Sequence, residues 1–150
     1  MSGEALPTVL VVGEEGPEAS SLRDVLDSED CRICLTPGGE AALTWAEGTE
    51  PDLVLANLRA PQAAVAVLAG VRRIHPEAVF IVFLAPGEAG EALRDLGRLG
   101  VYRILPRPWN PEELRLTVRL GLRCRELLRE NARLRSRVEE RLAGLREASA

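Results

Sequence analysis

An unbroken apolar run of only four to six residues has few places in a folded chain, and the best is a strand buried on both faces of a parallel sheet. The chain repeats that pattern. Residues 10–12 follow Thr8 and Val9 and stop at Gly13, residues 53–56 follow Pro51 and Asp52, and residues 79–84 follow His75 and Pro76. Residues 102–105 after Gly100, and more weakly residues 31–35, add two further candidates. Helical patterns lie between them. Pro17 sits where a first helical turn tolerates it and Leu22, Val25 and Leu26 follow at helix spacing, as do Leu93, Leu96 and Leu99 before Gly100. The alternation predicts an α/β fold: a five-stranded parallel sheet, doubly wound, with right-handed crossovers. In such folds ligands meet the carboxyl ends of the strands. The positions to examine are therefore residues 13–15, 57–58, 84–85 and 106–108.

Composition removes several chemistries. All 19 basic residues are Arg and none is Lys, so a Walker-type phosphate loop, a Schiff-base enzyme and a lysine general base are excluded. His75 is the single histidine, which excludes multi-histidine metal sites and reads as a loop residue before Pro76. No run approaches the roughly 18 apolar residues of a membrane span. The first seven residues lack the basic start and apolar stretch of a secretory signal, so the expected compartment is the cytoplasm, with the three cysteines reduced. Charge is unevenly placed. Residues 1–110 carry nine Arg against sixteen acids, and residues 111–150 carry ten Arg against seven Glu. That shift marks a change of architecture near Pro111.

Three segments then carry a resemblance. Val9-Leu10-Val11-Val12-Gly13-Glu14-Glu15, Pro51-Asp52-Leu53-Val54-Leu55-Ala56-Asn57-Leu58-Arg59-Ala60-Pro61, and the stretch from Gly100 through Pro106-Arg107-Pro108-Trp109-Asn110-Pro111 to Leu114 resemble the receiver domains of two-component response regulators in order, strand and separation. Residues 8–121 are covered, with the family's loop after Pro61 shortened to Gln62-Ala63-Ala64. The resemblance implies transfer of a phosphoryl group from a kinase histidine to an aspartate after the third strand, with Mg²⁺ held by an acid pair after the first. A Thr or Ser after the fourth strand and a Lys after the fifth contact the phosphoryl oxygens, and an aromatic residue on the fifth strand switches with them. On this chain the acid pair falls on Gly13 and Glu14, with Glu15 beside them, and the aspartate falls on Asn57. The hydroxyl position is Leu84, the lysine position Arg107 and the switch position Ile104.

Those substitutions predict a degenerate pocket without catalytic residue, metal or cofactor. The Asn57 carboxamide has no nucleophilic carboxylate and brings no charge to a cation. Mg²⁺ prefers anionic oxygens in an octahedral shell, which Gly13 and Asn57 do not supply. Leu84 has no hydroxyl to swing, and both it and Ile104 are residue types that suit a packed core. Arg107 keeps the charge, and a static bidentate pair with Glu14 or Glu15 is expected. Asp52, the nearest carboxylate, opens its strand at the far end from the pocket. Two further patterns carry nothing: the thiols of Cys31 and Cys34, at i and i+3 of a strand, point to opposite faces, and Gly13-Glu14-Glu15-Gly16 lacks a third glycine and would repel a phosphate.

From Pro111 the helical pattern runs on with no further proline. Leu120, Leu127 and Leu134 fall at d, and Cys124, Asn131, Val138 and Leu145 at a, of a heptad seam that only Arg141 interrupts. An Asn at one a position specifies a parallel dimer in register, and Glu130 at g would face Arg135 at e of the second chain. The alternative is a single amphipathic helix, folded onto the body or solvated. Arginines mixed with glutamates make no one-sided basic stripe and no helix-turn-helix follows, which argues against nucleic-acid binding.

The expectation is thus a lead at residues 1–7, a receiver-like domain at residues 8–121 and a coiled-coil extension at residues 122–150 continuous with its last helix. Its function would be that of a non-enzymatic, phosphorylation-independent receiver module, acting as a parallel coiled-coil homodimer on an unidentified signalling protein. By resemblance the partner surface includes Leu96, Leu99, Ile104 and Trp109. Two alternatives stay open: a receiver phosphorylated at a non-standard residue, and a regulatory fragment whose output domain lies beyond residue 150.

Overall fold

The apolar runs become strands because only a ladder with neighbours on both sides satisfies their backbone while both rows of side chains stay dry. The computed structural model describes residues 6–88 and 90–149; of the lead, residues 1–5 lie outside the described residues. In chain order the elements are β1 (Thr8–Val12), α1 (Pro17–Asp27), β2 (Arg32–Thr36), α2 (Gly39–Gly48), β3 (Leu53–Ala56), α3 (Pro61–Ile74), β4 (Val79–Leu84), α4 (Ala92–Arg98), β5 (Arg103–Pro106) and α5 (Pro111–Ser149). The sheet is wholly parallel in the order β2-β1-β3-β4-β5. Its register levels the strand ends, Val12 lying beside Thr36 and Ala56, and Leu84 beside Pro106.

Alternation along each strand divides the core in two. Leu10, Val12, Val54, Ala56, Phe80, Val82 and Leu84 meet α2, α3 and Leu96 of α4 on one face. On the other, Val9, Val11, Leu53, Leu55, Ile81, Phe83 and Leu105 meet α1 and the first part of α5. Each fully buried Leu or Phe contributes roughly 1.5–3 kcal/mol relative to exposure. Cys34 packs on the first cluster and Cys31 on the second, the opposed placement expected from their spacing. His75, at the end of α3, hydrogen-bonds through Nε2 to the Ala46 carbonyl at 2.7 Å, a structural bond within the fold.

Two expectations need correction. Tyr102 is not in β5, which begins at Arg103; the chain is still leaving the Gly100 turn, where φ is +72°. Leu93 does not face the core with Leu96: α4 has seven residues and turns Ala92 and Leu96 inward, leaving Leu93 rotated away and exposed.

The α5 helix starts at Pro111, as expected, with Asn110 Oδ1 accepting from the amides of Glu112 and Glu113. Leu114, Val118, Gly121 and Arg125 recur on the face it lays on the sheet. A Cβ on Gly121 would stand 3.1 Å from Leu53 Cδ1, so helix and strand touch there. The helix then runs on past the domain, and every side chain from residue 129 to 148 is exposed. Its direction is set at the amino end of β3. Asp52 accepts from the Thr8 amide at 2.8 Å and from Arg125 Nε at 3.3 Å, and Arg129 Nη2 lies 2.6 Å from it. Arg125 also pairs with Glu50.

Candidate functional site

At the carboxyl end of the sheet the pocket is built around one guanidinium. Arg107 follows β5 with its amide held by the Leu84 carbonyl at 3.0 Å, and the next peptide, to Pro108, is cis. Its Nη2 donates to Asn57 Oδ1 at 2.6 Å and to the Leu58 carbonyl at 3.1 Å. Nε lies 3.2 Å from Glu18 Oε1 in ion-pair contact that lacks hydrogen-bond geometry, and Nη1 lies 3.8 Å from Glu88 Oε1. The Arg107 side chain is 16% exposed. One cation thus ties α1, the loop after β3 and the loop after β4 together, with two carboxylates and a carboxamide around it.

The acidic partners differ from the expected ones. Arg107 pairs with Glu18 and Glu88, not with Glu14 or Glu15. The reason is local: Glu14 and Glu15 sit in the loop between β1 and α1, whereas Glu18 lies in the first turn of α1, within ion-pair reach of Arg107. Neither Glu18 nor Glu88 falls on a position of the receiver motifs, so sequence offered only their placement after β1 and after β4.

Gly13 and Asn57 are brought together and both are buried. The Gly13 amide donates to the Thr36 carbonyl at 2.9 Å and that of Asn57 to the Val12 carbonyl at 2.8 Å. A Cβ on Gly13 would stand 2.5 Å from the Asn57 carbonyl oxygen, so no acid fits at Gly13 without moving β3. Leu84 is buried among the side chains facing α3 and α4, as expected of a core residue. Ile104 is not: it is 38% exposed, because β5 is the edge strand and among the described residues no further strand pairs beyond it.

The Mg²⁺ implied by the receiver resemblance does not fit these residues. The place of one acid is closed by backbone, that of another is a carboxamide already bound by a cation, and Glu14 and Glu15 face outward. A guanidinium in hydrogen-bond contact with Asn57 would repel a second cation. Among the described residues no cluster of three or more His, Cys, Asp or Glu could hold a metal ion. The arrangement holds α1 and the loops after β3 and β4 in one relative position.

The heptad positions divide. Leu120, Leu127, Leu134, Val138 and Leu145 are exposed apolar side chains, joined by Leu116 and Leu142, and Asn131 is exposed among them. At about 100° per residue they form one stripe, roughly 130° around the helix from the Leu114–Arg125 face. Cys124 departs from the seam expected for it. It lies at the stripe's edge, half-buried against the domain's own core beside Leu128. Of the resemblance surface, Leu96 is buried, Leu99 and Trp109 half-buried and Ile104 exposed. Sequence reading missed Arg125, a buried cation that its place on the core face, seven residues after Val118, marks out.

Sheet order and levelled strand ends define the class: this is the five-stranded parallel α/β fold of receiver domains. Relatives in sequence agree. The chain is 28% identical over 124 residues to the hydrogenase transcriptional regulatory protein HoxA of Bradyrhizobium diazoefficiens, a match covering 82% of this chain and 25% of that protein. It is 31% identical over 100 residues to the response regulator receiver protein Anae109_2439 of an Anaeromyxobacter species, covering 66% of this chain and 42% of that one. The signal receiver domain of an HD domain-containing protein from Pseudomonas fluorescens superposes with a TM-score of 0.77 at 22% identity, over 87% of this chain and 96% of that domain. The chain spans about a quarter of the length of the HoxA proteins it matches. No family model matches it. Among the described residues no helix is long and apolar enough to cross a membrane.

Proposed function

We propose that this chain is a phosphorylation-independent receiver module of two-component signalling that works by protein–protein interaction, paired through α5. The observation that carries the first half is the Arg107–Asn57 hydrogen bond, with Gly13 packed against the Asn57 backbone. A neutral carboxamide held by a cation stands where the family needs a charged nucleophile, and the adjacent acid position is closed. The stripe from Leu116 to Leu145 supports the second half. A two-stranded parallel coil would bury Leu127, Leu134, Val138 and Leu145, match Asn131 with its mate and set Glu130 beside Arg135 of the second chain. Exposed Ile104 and Tyr102, on and just before the edge strand, offer the paired domains an apolar contact with a signalling partner.

Light scattering tests the assembly. The whole chain should have twice its 16.3 kDa monomer mass, and Leu134→Glu, at a side chain away from the domain, should reduce it to the monomer. A wild-type monomer at micromolar concentration would contradict the pairing. A second reading, control of a transcriptional output, draws on the match to HoxA; it predicts that Leu134→Glu abolishes that output in a cell.

A further inference from the structure

Seven large apolar side chains of α5 are exposed: Leu116, Leu120, Leu127, Leu134, Val138, Leu142 and Leu145. The heptad seam collects five of them. It leaves out Leu116 and Leu142, takes Arg141 into its core, and requires Cys124, which already packs on the domain's own core. A period of eleven fits all of these residues. Leu116, Leu127 and Val138 stand eleven apart, as do Leu120, Asn131 and Leu142, and as do Leu134 and Leu145. All seven exposed apolar side chains then lie on the seam, and Cys124 and Arg141 both leave it. The exception is Arg123, in line before Leu134, whose guanidinium pairs with Glu126 at 3.0 Å.

The two periods predict different pairs. An α-helix turns about 100° per residue, so seven residues fall about 20° short of two turns and eleven pass three turns by about 20°. Helices that keep the first period wind around each other left-handed, and helices that keep the second wind right-handed. Residues common to both, from Leu120 to Leu145, do not choose between them. Leu116, Cys124, Arg141 and Leu142 do, and all four favour eleven. A heptad pair would bury two guanidiniums of residue 141 side by side and leave Leu142 of each chain in water, which costs free energy on both counts.

We propose that α5 pairs with a second copy of this chain through an eleven-residue seam, wound right-handed and running from Leu116 to Leu145. This rests on the pairing given above and deepens it. The occupant is a second copy because Asn131 stands mid-column between Leu120 and Leu142, and a carboxamide inside a leucine seam finds its match in the same residue at the same level of an identical helix. At 1.5 Å per residue the seam is about 44 Å long. It also begins earlier than the heptad seam does. Leu116 lies on the part of α5 whose other face carries Leu114 and Val118 onto the sheet, and the helix continues unbroken to Ser149. The seam thus starts on the receiver body itself, and the paired helices carry the two bodies with them.

Sedimentation equilibrium of the whole chain and three variants, read as the dimer dissociation constant, tests the period. Leu116→Gln and Leu142→Gln should each raise that constant at least about tenfold, since each removes two apolar side chains from the seam of the pair. Arg141→Leu should leave it within about threefold of wild type, because residue 141 stays outside. All three positions are exposed, so the receiver body folds as before, and far-ultraviolet circular dichroism checks that it does. A heptad pair gives the opposite result. If Arg141→Leu tightens the dimer at least about tenfold and Leu142→Gln leaves it unchanged, the eleven-residue seam is overturned while the pairing stands. A wild-type chain that stays monomeric at micromolar concentration overturns the pairing and the seam together.

Discussion

Arg125→Met is expected to remove about 3 kcal/mol of stability while leaving the strand-end pocket as it is. The Arg125 side chain is 6% exposed, and its buried partner, Asp52, is 5% exposed. Removing one member of a buried ion pair costs about 3–5 kcal/mol, because the other charge stays buried. Two features place this case at the low end. Asp52 keeps the Thr8 amide and Arg129, and methionine fills most of the volume the arginine stem vacates. Asp52→Asn in the same chain should recover part of the loss, a coupling of roughly 1–2 kcal/mol, since a neutral carboxamide tolerates the missing cation. Urea unfolding followed by far-ultraviolet circular dichroism gives the midpoint and slope, and only the midpoint should move. Several protein concentrations are needed, because a dimer makes apparent stability concentration-dependent. An Arg125→Met variant within about 0.5 kcal/mol of wild type, or a strictly additive double variant, would refute a buried clamp that sets the direction of α5.

Two further outcomes follow from the same contacts. Arg107→Ala should cost about 1.5–3 kcal/mol, since it leaves the buried Asn57 carboxamide without its donor and frees two loops; Arg107→Lys, with a single ammonium, should recover only part, and an unchanged urea midpoint would count against the pocket as a structural tie. Burial, reinforced by Glu29, Asp27 and Asp30, raises the Cys31 thiol from its ordinary 9.0 to about 11. The folded chain then keeps a proton that the unfolded chain loses, so stability is whole below about pH 9 and declines toward pH 11. In Cys31→Ala that part of the decline should vanish, and an identical alkaline profile for both proteins would refute it.

The fold was legible because runs such as residues 79–84 leave a strand nowhere to go but the middle of a parallel sheet. Elements with weaker signals were misplaced at their edges. Leu93 fitted helix spacing but lies on a helix too short for three inward turns, and Ile104 matched a core residue type on a strand that is an edge. The pocket was half legible. Gly13, Asn57, Leu84 and Arg107 could be placed by resemblance because strand ends are fixed by register. Glu18 and Glu88 could not, since which loop carboxylate reaches a guanidinium depends on how α1 and the turn after β4 enter, and a period in the sequence does not encode that. Arg125 was hidden for a different reason: in a helix with ten arginines, the buried one differs only by falling in line with Leu114, Val118 and Gly121. Cys124 shows the same ambiguity reversed, because the a positions of the seam and the flank of the core face coincide until the helix leaves the domain.

The most direct measurement is the intact mass of the whole wild-type chain after incubation with a small acyl phosphate and Mg²⁺. With a carboxamide at residue 57 held by Arg107 and backbone closing the space at Gly13, the mass should stay unchanged. Stoichiometric gain of one phosphoryl group, released on brief treatment with base or hydroxylamine as an acyl phosphate is, would contradict the account and reveal an acceptor carboxylate elsewhere in the chain.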